Sequence, residues 1–165
     1  MNIFVLDESP TLAAQMHCDK HVPKMVLETA QILSTVLHEK EFSGRDKLYK
    51  PTHVNHPCVR WAAESFCNFL WTLSLGLALG KEYHLRYGPI HKSTKTIRLV
   101  SDISYKELSG LFDQDDMTEW ALAMPDKFKC DDAVHSYREY YREEKSRFAV
   151  WHKGRDEPHW WASAA

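Results

Sequence analysis

Within twelve residues the chain places His17, Cys18, Asp19, Lys20, His21, Lys24 and Glu28: two imidazoles, a thiol, two carboxylates and two amines. Two chemistries draw on such a set. In metal-assisted hydrolysis, imidazoles spaced i, i+4 on a helix bind a divalent cation that activates water. In metal-free catalysis, a carboxylate moves a proton or stabilises a sugar-like cation while an amine attacks carbon. A helix would bring His17, His21, Lys24, Glu28 and Gln31 to one side, since their spacings alternate between four and three. Beside them runs an apolar stripe of Val22, Met25, Val26, Thr29, Leu33, Val36 and Leu37. The reactive groups therefore sit at the margin of a buried face, where a cleft forms. The plainer reading of Lys20, Lys24 and Glu28 is a surface network of i, i+4 pairs.

A second constellation lies at Thr52, His53, Asn55, His56, Pro57 and Cys58. Proline at the first turn of a helix leaves free N–H groups and a positive dipole end, which suit a phosphate or a developing oxyanion. Histidines and Thr52 around that end, with Arg60 one turn on, strengthen the anion reading; alternatively His56 or Asn55 only caps the helix. Zinc or another divalent metal on His17, His21, His53 and His56 is the competing reading. It lacks a Glu next to the first histidine, and no paired-cysteine motif supports it. A third set, Arg86, His91 and Lys92, surrounds a Gly-Pro turn, in a stretch from Lys81 to Arg98 that holds five Lys or Arg against Glu82 alone. From Asp102 to Glu119 the balance reverses. Tyr137, Arg138 and Tyr141 combine rings with a cation, as base stacking and phosphate contact require. Tyr140, Phe148 and Trp151 read as packing.

The elements that must hold these groups are mainly helical. Residues 1–6 read as a short strand or an apolar plug. Ser9-Pro10 starts a helix to about Lys20. Pro23 breaks or kinks it, and a second segment runs to about Glu39. Residues 39–55 form a loop. Pro57 opens a long central helix to about Arg86, apolar nearly all round and therefore buried; Arg60, Glu64 and Asn68 are its polar edge. Short helices are expected near 94–103, 104–112 and 117–123, and a last one, capped by Asp131, over 132–150. The prediction is one all-α domain over residues 1–165, with a short extended N-terminal segment and a long buried central helix. Its cleft should lie between residues 10–39, His53–Pro57 and Arg86–Lys92.

A chain of 165 residues suffices to bury a core, and 44% apolar with 27% charged residues marks an ordered fold. A formal charge of −2 excludes holding nucleic acid by bulk electrostatics and favours a nucleotide-sized substrate over long duplex DNA. The four cysteines have no secreted-scaffold rhythm and read as reduced thiols of a cytoplasmic protein. The apolar run from Ser65 to Gly80 is shorter than the roughly 20 residues that span a bilayer, so no membrane is expected.

Several runs carry a resemblance: His17 to His21 with Lys24, Met25, Glu28 and Gln31; Thr52 to Pro57 with Trp61; Glu82-Tyr83, Arg86-Tyr87-Gly88 and His91-Lys92; Met124-Pro125-Asp126; Tyr137-Arg138 with Tyr140-Tyr141; and Trp160-Trp161. Together they resemble a widespread set of small phage and bacterial proteins, over nearly the whole chain. More distantly they resemble the pyrimidine-dimer DNA glycosylase (T4-type endonuclease V) superfamily. That resemblance implies an α-helical fold, no metal or cofactor, and cleavage of a glycosidic bond through an imine formed by the N-terminal amine. It implies Glu28 as counterpart of the catalytic Glu, with Asp19 as rival, and Lys20, His21 and Lys24 as phosphate contacts. The pattern departs at the start, where the glycosylase exposes a small residue after loss of its initiator Met. Here Asn2 follows Met1 and is too bulky for efficient removal of Met1. Lys20, Lys24 and the N-terminal amine are the candidate nucleophiles.

The leading expectation is an enzyme acting on DNA bases or nucleotides in the cytoplasm, or in the host cytoplasm if phage-encoded. Glu28, Asp19, Lys20, His21 and Lys24 would be its catalytic set. His17, His53, Asn55, His56, Arg60, Arg86, His91, Lys92, Tyr137, Arg138 and Tyr141 would bind substrate or phosphate. A His-ligated nucleotide hydrolase, and a non-catalytic phage protein that binds a nucleotide or a host protein, are the alternatives.

Overall fold

Capping side chains set most helix starts. Ser9 caps α1 (Pro10–Met16), its hydroxyl accepting from Leu12 N–H, and proline takes the first helical position. The first helix thus ends four residues before the expected Lys20. The second, α2 (His21–Glu39), contains Pro23 as its third residue. A proline in the first turn removes an N–H that has no intrahelical partner in any case, so α2 starts there instead of kinking. The Asp19 carbonyl accepts instead from the Tyr87 hydroxyl at 2.6 Å.

The expected single central helix is two. α3 (Pro57–Glu64) and α4 (Phe66–Tyr87) meet at Ser65 with a bend of 119°. Ser65 is extended, and its hydroxyl accepts from Asn68 N–H at 3.1 Å, an N-cap in the middle of the apolar run. The first N–H groups of α4 go to the Gln114 and Asp115 carbonyls, at 3.0 and 3.1 Å. α5 (Thr94–Ser101), α6 (Tyr105–Ser109) and α7 (Ala133–Lys145) follow, with single 3₁₀ turns at Arg45–Lys47 and Asp126–Phe128. Asp132, not Asp131, caps α7. Residues 117–123 are not helical: Asn68 takes both the main chain and the hydroxyl of Thr118, and Trp120 stacks on Trp61 at 5.0 Å.

This computed structural model describes residues 1–161, and among them it is all-helical, with seven α-helices and no strand. Among the described residues no single helix is long and apolar enough to cross a membrane. α4 is the axis, packed against α1, α2, α3 and α5. Gly76 lets α2 approach, since a Cβ there would stand 2.8 Å from the Thr29 methyl. Residues 1–6 are the plug rather than a strand: Ile3, Val5 and Leu6 are fully buried. The Asn2 side chain fixes this segment by accepting from Ile3 and Phe4 N–H and donating to the Ala123 carbonyl. Phe4 has φ +37°, a strained conformation for a bulky residue. Its ring holds the segment there, stacked on His21 at 5.0 Å and edge-on to Tyr141 at 5.3 Å.

Candidate functional site

The predicted residues separate into two clusters. The first surrounds Glu28, on the third turn of α2 and buried. Its carboxylate accepts from Asn2 N–H at 3.0 Å and from Lys24 Nζ at 2.8 Å, and the α-amino nitrogen of Met1 lies 3.6 Å away. The Met1 side chain is only 2% exposed while the residue as a whole is partly exposed. Solvent therefore reaches its main chain, not its thioether. His56 caps α3 through Nδ1, accepting from Cys58 N–H at 3.1 Å. Burial lowers the His56 pKa; the Met1 ammonium and His53 lower it further, against Glu28 and a hydrogen bond with the Met1 main chain, which raise it. His53 has φ +52°, held by a 2.7 Å contact between its Nδ1 and the Thr52 hydroxyl and by His56 N–H donating to its carbonyl. The loop before it lies along α2, with Thr52 and Thr35 hydrogen-bonded both ways. Cys58, beside this cluster, is an inert thiol, pushed up to about 12 by burial.

The second cluster surrounds Arg86. Its guanidinium donates through Nε and both terminal nitrogens to the Gln15 and His17 carbonyls, to Asp19 at 3.1 Å and to Glu82 at 3.0 Å. Asp19 also accepts from His152 N–H at 2.8 Å, and its own N–H donates to the Val150 carbonyl. Arg155 holds Glu82 by a two-point contact at 2.5 and 3.0 Å. Burial opposes the Glu82 charge, yet the Arg155 hydrogen bonds and the Arg86 charge hold its carboxyl below the usual range. This cluster ties the α1–α2 junction and the C-terminal tail to α4. The Arg86 side chain is buried among these partners and so is not placed to take a phosphate, and Asp19 is a positioning group for the chain itself.

Other candidates are core. Tyr137 and Tyr141 are fully buried; one hydroxyl donates to the Ala121 carbonyl and the other accepts from Cys18 N–H. Neither presents a stacking face, whereas Tyr140, assigned to packing from the sequence, is partly exposed. His17 and His21 are buried against Phe4 and Tyr141. Burial lowers His17 to about 4, helped by Arg86 and opposed by its hydrogen bond to the Ala13 carbonyl. Burial, with His17 next, lowers His21 to about 3. The four proposed metal-binding histidines thus divide between the core and the start of α3. Among the described residues no three His, Cys, Asp or Glu side chains converge on one point.

The remaining cations are dispersed. Lys20 lies over Phe148 at 4.8 Å, Arg138 clasps the Leu6 carbonyl and Asp7, and His91 meets Tyr83 edge-on. Lys92 and Asn55 are exposed, and Arg60 pairs with Glu39 at 3.5 Å. Arg60 lines a cavity of about 720 Å³ with Pro57, Trp61, Glu64 and Glu119; Glu28 is not among its lining residues. Asn2 and Arg155 are site and network residues that sequence reasoning missed. Asn2 was legible as a polar residue stranded in an apolar segment; Arg155 carried no signal. Comparison of the chain with protein-family models, with curated proteins and with solved structures finds no match.

Proposed function

We propose that the chain is an enzyme that cleaves an N-glycosidic bond of DNA or of a nucleotide, with the Met1 α-amine as nucleophile and Glu28 as proton carrier. The observation that supports it is the pairing of that amine with a buried carboxylate at 3.6 Å, on a segment locked by Asn2. An amine needs to lose a proton before it attacks, and a carboxylate within reach takes it. Nitrogen then bonds to C1′, and the bond from C1′ to the base breaks with its electron pair and a proton going to the base. Ring opening follows: the nitrogen lone pair forms C1′=N, the C1′–O4′ bond breaks, and Glu28 returns a proton to O4′. Water hydrolyses the imine and frees the amine. Lys24 supplies local positive charge for a phosphate, which a chain of net charge −2 does not supply in bulk, and the neighbouring His53 and His56 add hydrogen-bonding groups.

Borohydride reduces the imine to a stable amine, so an oligonucleotide with an abasic site should become covalently attached. E28Q should lower the trapping rate about 100-fold or more. No adduct, or an E28Q rate equal to the parent's, rejects the proposal. The Asn2 N–H bond to Glu28 favours a second reading, in which Glu28 only anchors the N-terminal segment; that reading predicts lower stability in E28Q and no adduct in either protein.

A further inference from the structure

The basic stretch from Lys81 to Arg98 is not used by the Glu28 site, and it encloses a cavity of about 220 Å³. One wall is α4, with Leu77, Gly80, Lys81 and His84; the other is α5, with Thr94 and Arg98 one turn apart; Ile90 closes the end. No carboxylate lines it. Lys81 and Arg98 are exposed and have no ion-pair partner among the described residues. At the base of the cavity Thr94 is 5% exposed, and its hydroxyl lacks a hydrogen-bond partner. That hydroxyl is turned toward the bare Cα of Gly80, where a Cβ would stand 3.0 Å from it. A buried hydroxyl left unpaired is unfavourable, and a ligand oxygen that accepts from it would relieve that cost. Thr94 is also the first residue of α5, at the positive end of the helix dipole.

We propose that this cavity is a phosphate subsite, in which Lys81 and Arg98 neutralise the anion and Thr94 donates to one of its oxygens. The volume lies below that of pockets for whole drug-sized ligands, so it takes a phosphoryl group, with Leu77 and Ile90 against the carbon skeleton that carries it. The phosphate is that of a small phosphorylated molecule or of a nucleic-acid strand; the recognition chemistry is shared. This subsite stands independently of the glycosidic reading.

The test is calorimetric titration of the whole chain with inorganic phosphate at fixed ionic strength. Saturable binding should weaken tenfold or more in the K81Q/R98Q double variant and severalfold in T94V. Thermal melting checks that each variant keeps the fold. Borohydride trapping reads the Glu28 site separately, so failure of that site does not carry over. A fluorescent oligonucleotide with the same Lys81 and Arg98 dependence assigns the phosphate to a strand; a deoxynucleoside monophosphate that binds where the strand does not assigns it to a small molecule. Phosphate that fails to saturate at millimolar concentration, or that binds K81Q/R98Q as it binds the parent, overturns the subsite.

Discussion

Arg86 shows how one residue can look like a ligand-binding cation and act as a staple. Its donors join Gln15, His17, Asp19 and Glu82, so removal leaves the buried Asp19 carboxylate without its cation and two carbonyls without their donor, while Arg155 still holds Glu82. R86M should cost about 3–5 kcal/mol, measured by urea unfolding, because breaking a buried ion pair from one side leaves uncompensated charge. His17 and His21 give a pH signature. Their folded values, about 4 and about 3, lie below the unfolded 6.5, so the unfolded chain binds more protons as pH falls. Stability is complete above pH 6.5 and is lost on acidification, by ~2 kcal/mol for each histidine at pH 5. Unfolding midpoints from pH 7.5 to 5 should follow that slope, and H21F should flatten it. A flat profile in the parent chain would contradict the buried, neutral assignment.

At the scale of elements, the break at Ser65 decides the architecture, because it turns α3 across α4. S65A should destabilise by about 1 kcal/mol in thermal unfolding, the usual cost of an N-cap. The signal was present in the sequence, as a serine three residues before Asn68, but the apolar run on both sides outweighed it. Helix composition, the α1 and α2 starts and burial of the central segment were legible because periodicity and caps are local, while residues 1–6 stood open between a strand and an apolar plug. What was not legible depended on distant partners. Residues 117–123 lost their helix to Asn68, fifty residues away; Asp19 acquired a structural role through Val150 and His152, and Arg86 through Gln15, His17 and Asp19 at the α1–α2 junction. For the site, the pairing of Glu28 with Lys24 followed from spacing. Its pairing with Met1 and Asn2 needed the chain start to fold back under α2. N2A removes the side chain that shapes that return, and should lower the trapping rate more than it lowers the melting temperature.

The whole molecule has a carboxylate–amine centre near the start of α3, an ion network that ties the C-terminal tail to α4, and a basic cleft between α4 and α5. The ion network is satisfied internally. In the proposed reading the other two sites recognise phosphate locally, as a chain of net charge −2 requires. The proposed chemistry requires the amine of the N-terminal segment, not a lysine, to become covalently joined to sugar carbon. The most direct measurement is borohydride trapping of the intact chain on an abasic oligonucleotide, followed by mass spectrometry of the proteolysed adduct. The account predicts the sugar remnant on the peptide that begins at Met1, attached through the α-nitrogen, and its loss in E28Q. An adduct confined to Lys20 or Lys24, or no adduct at all, would contradict it.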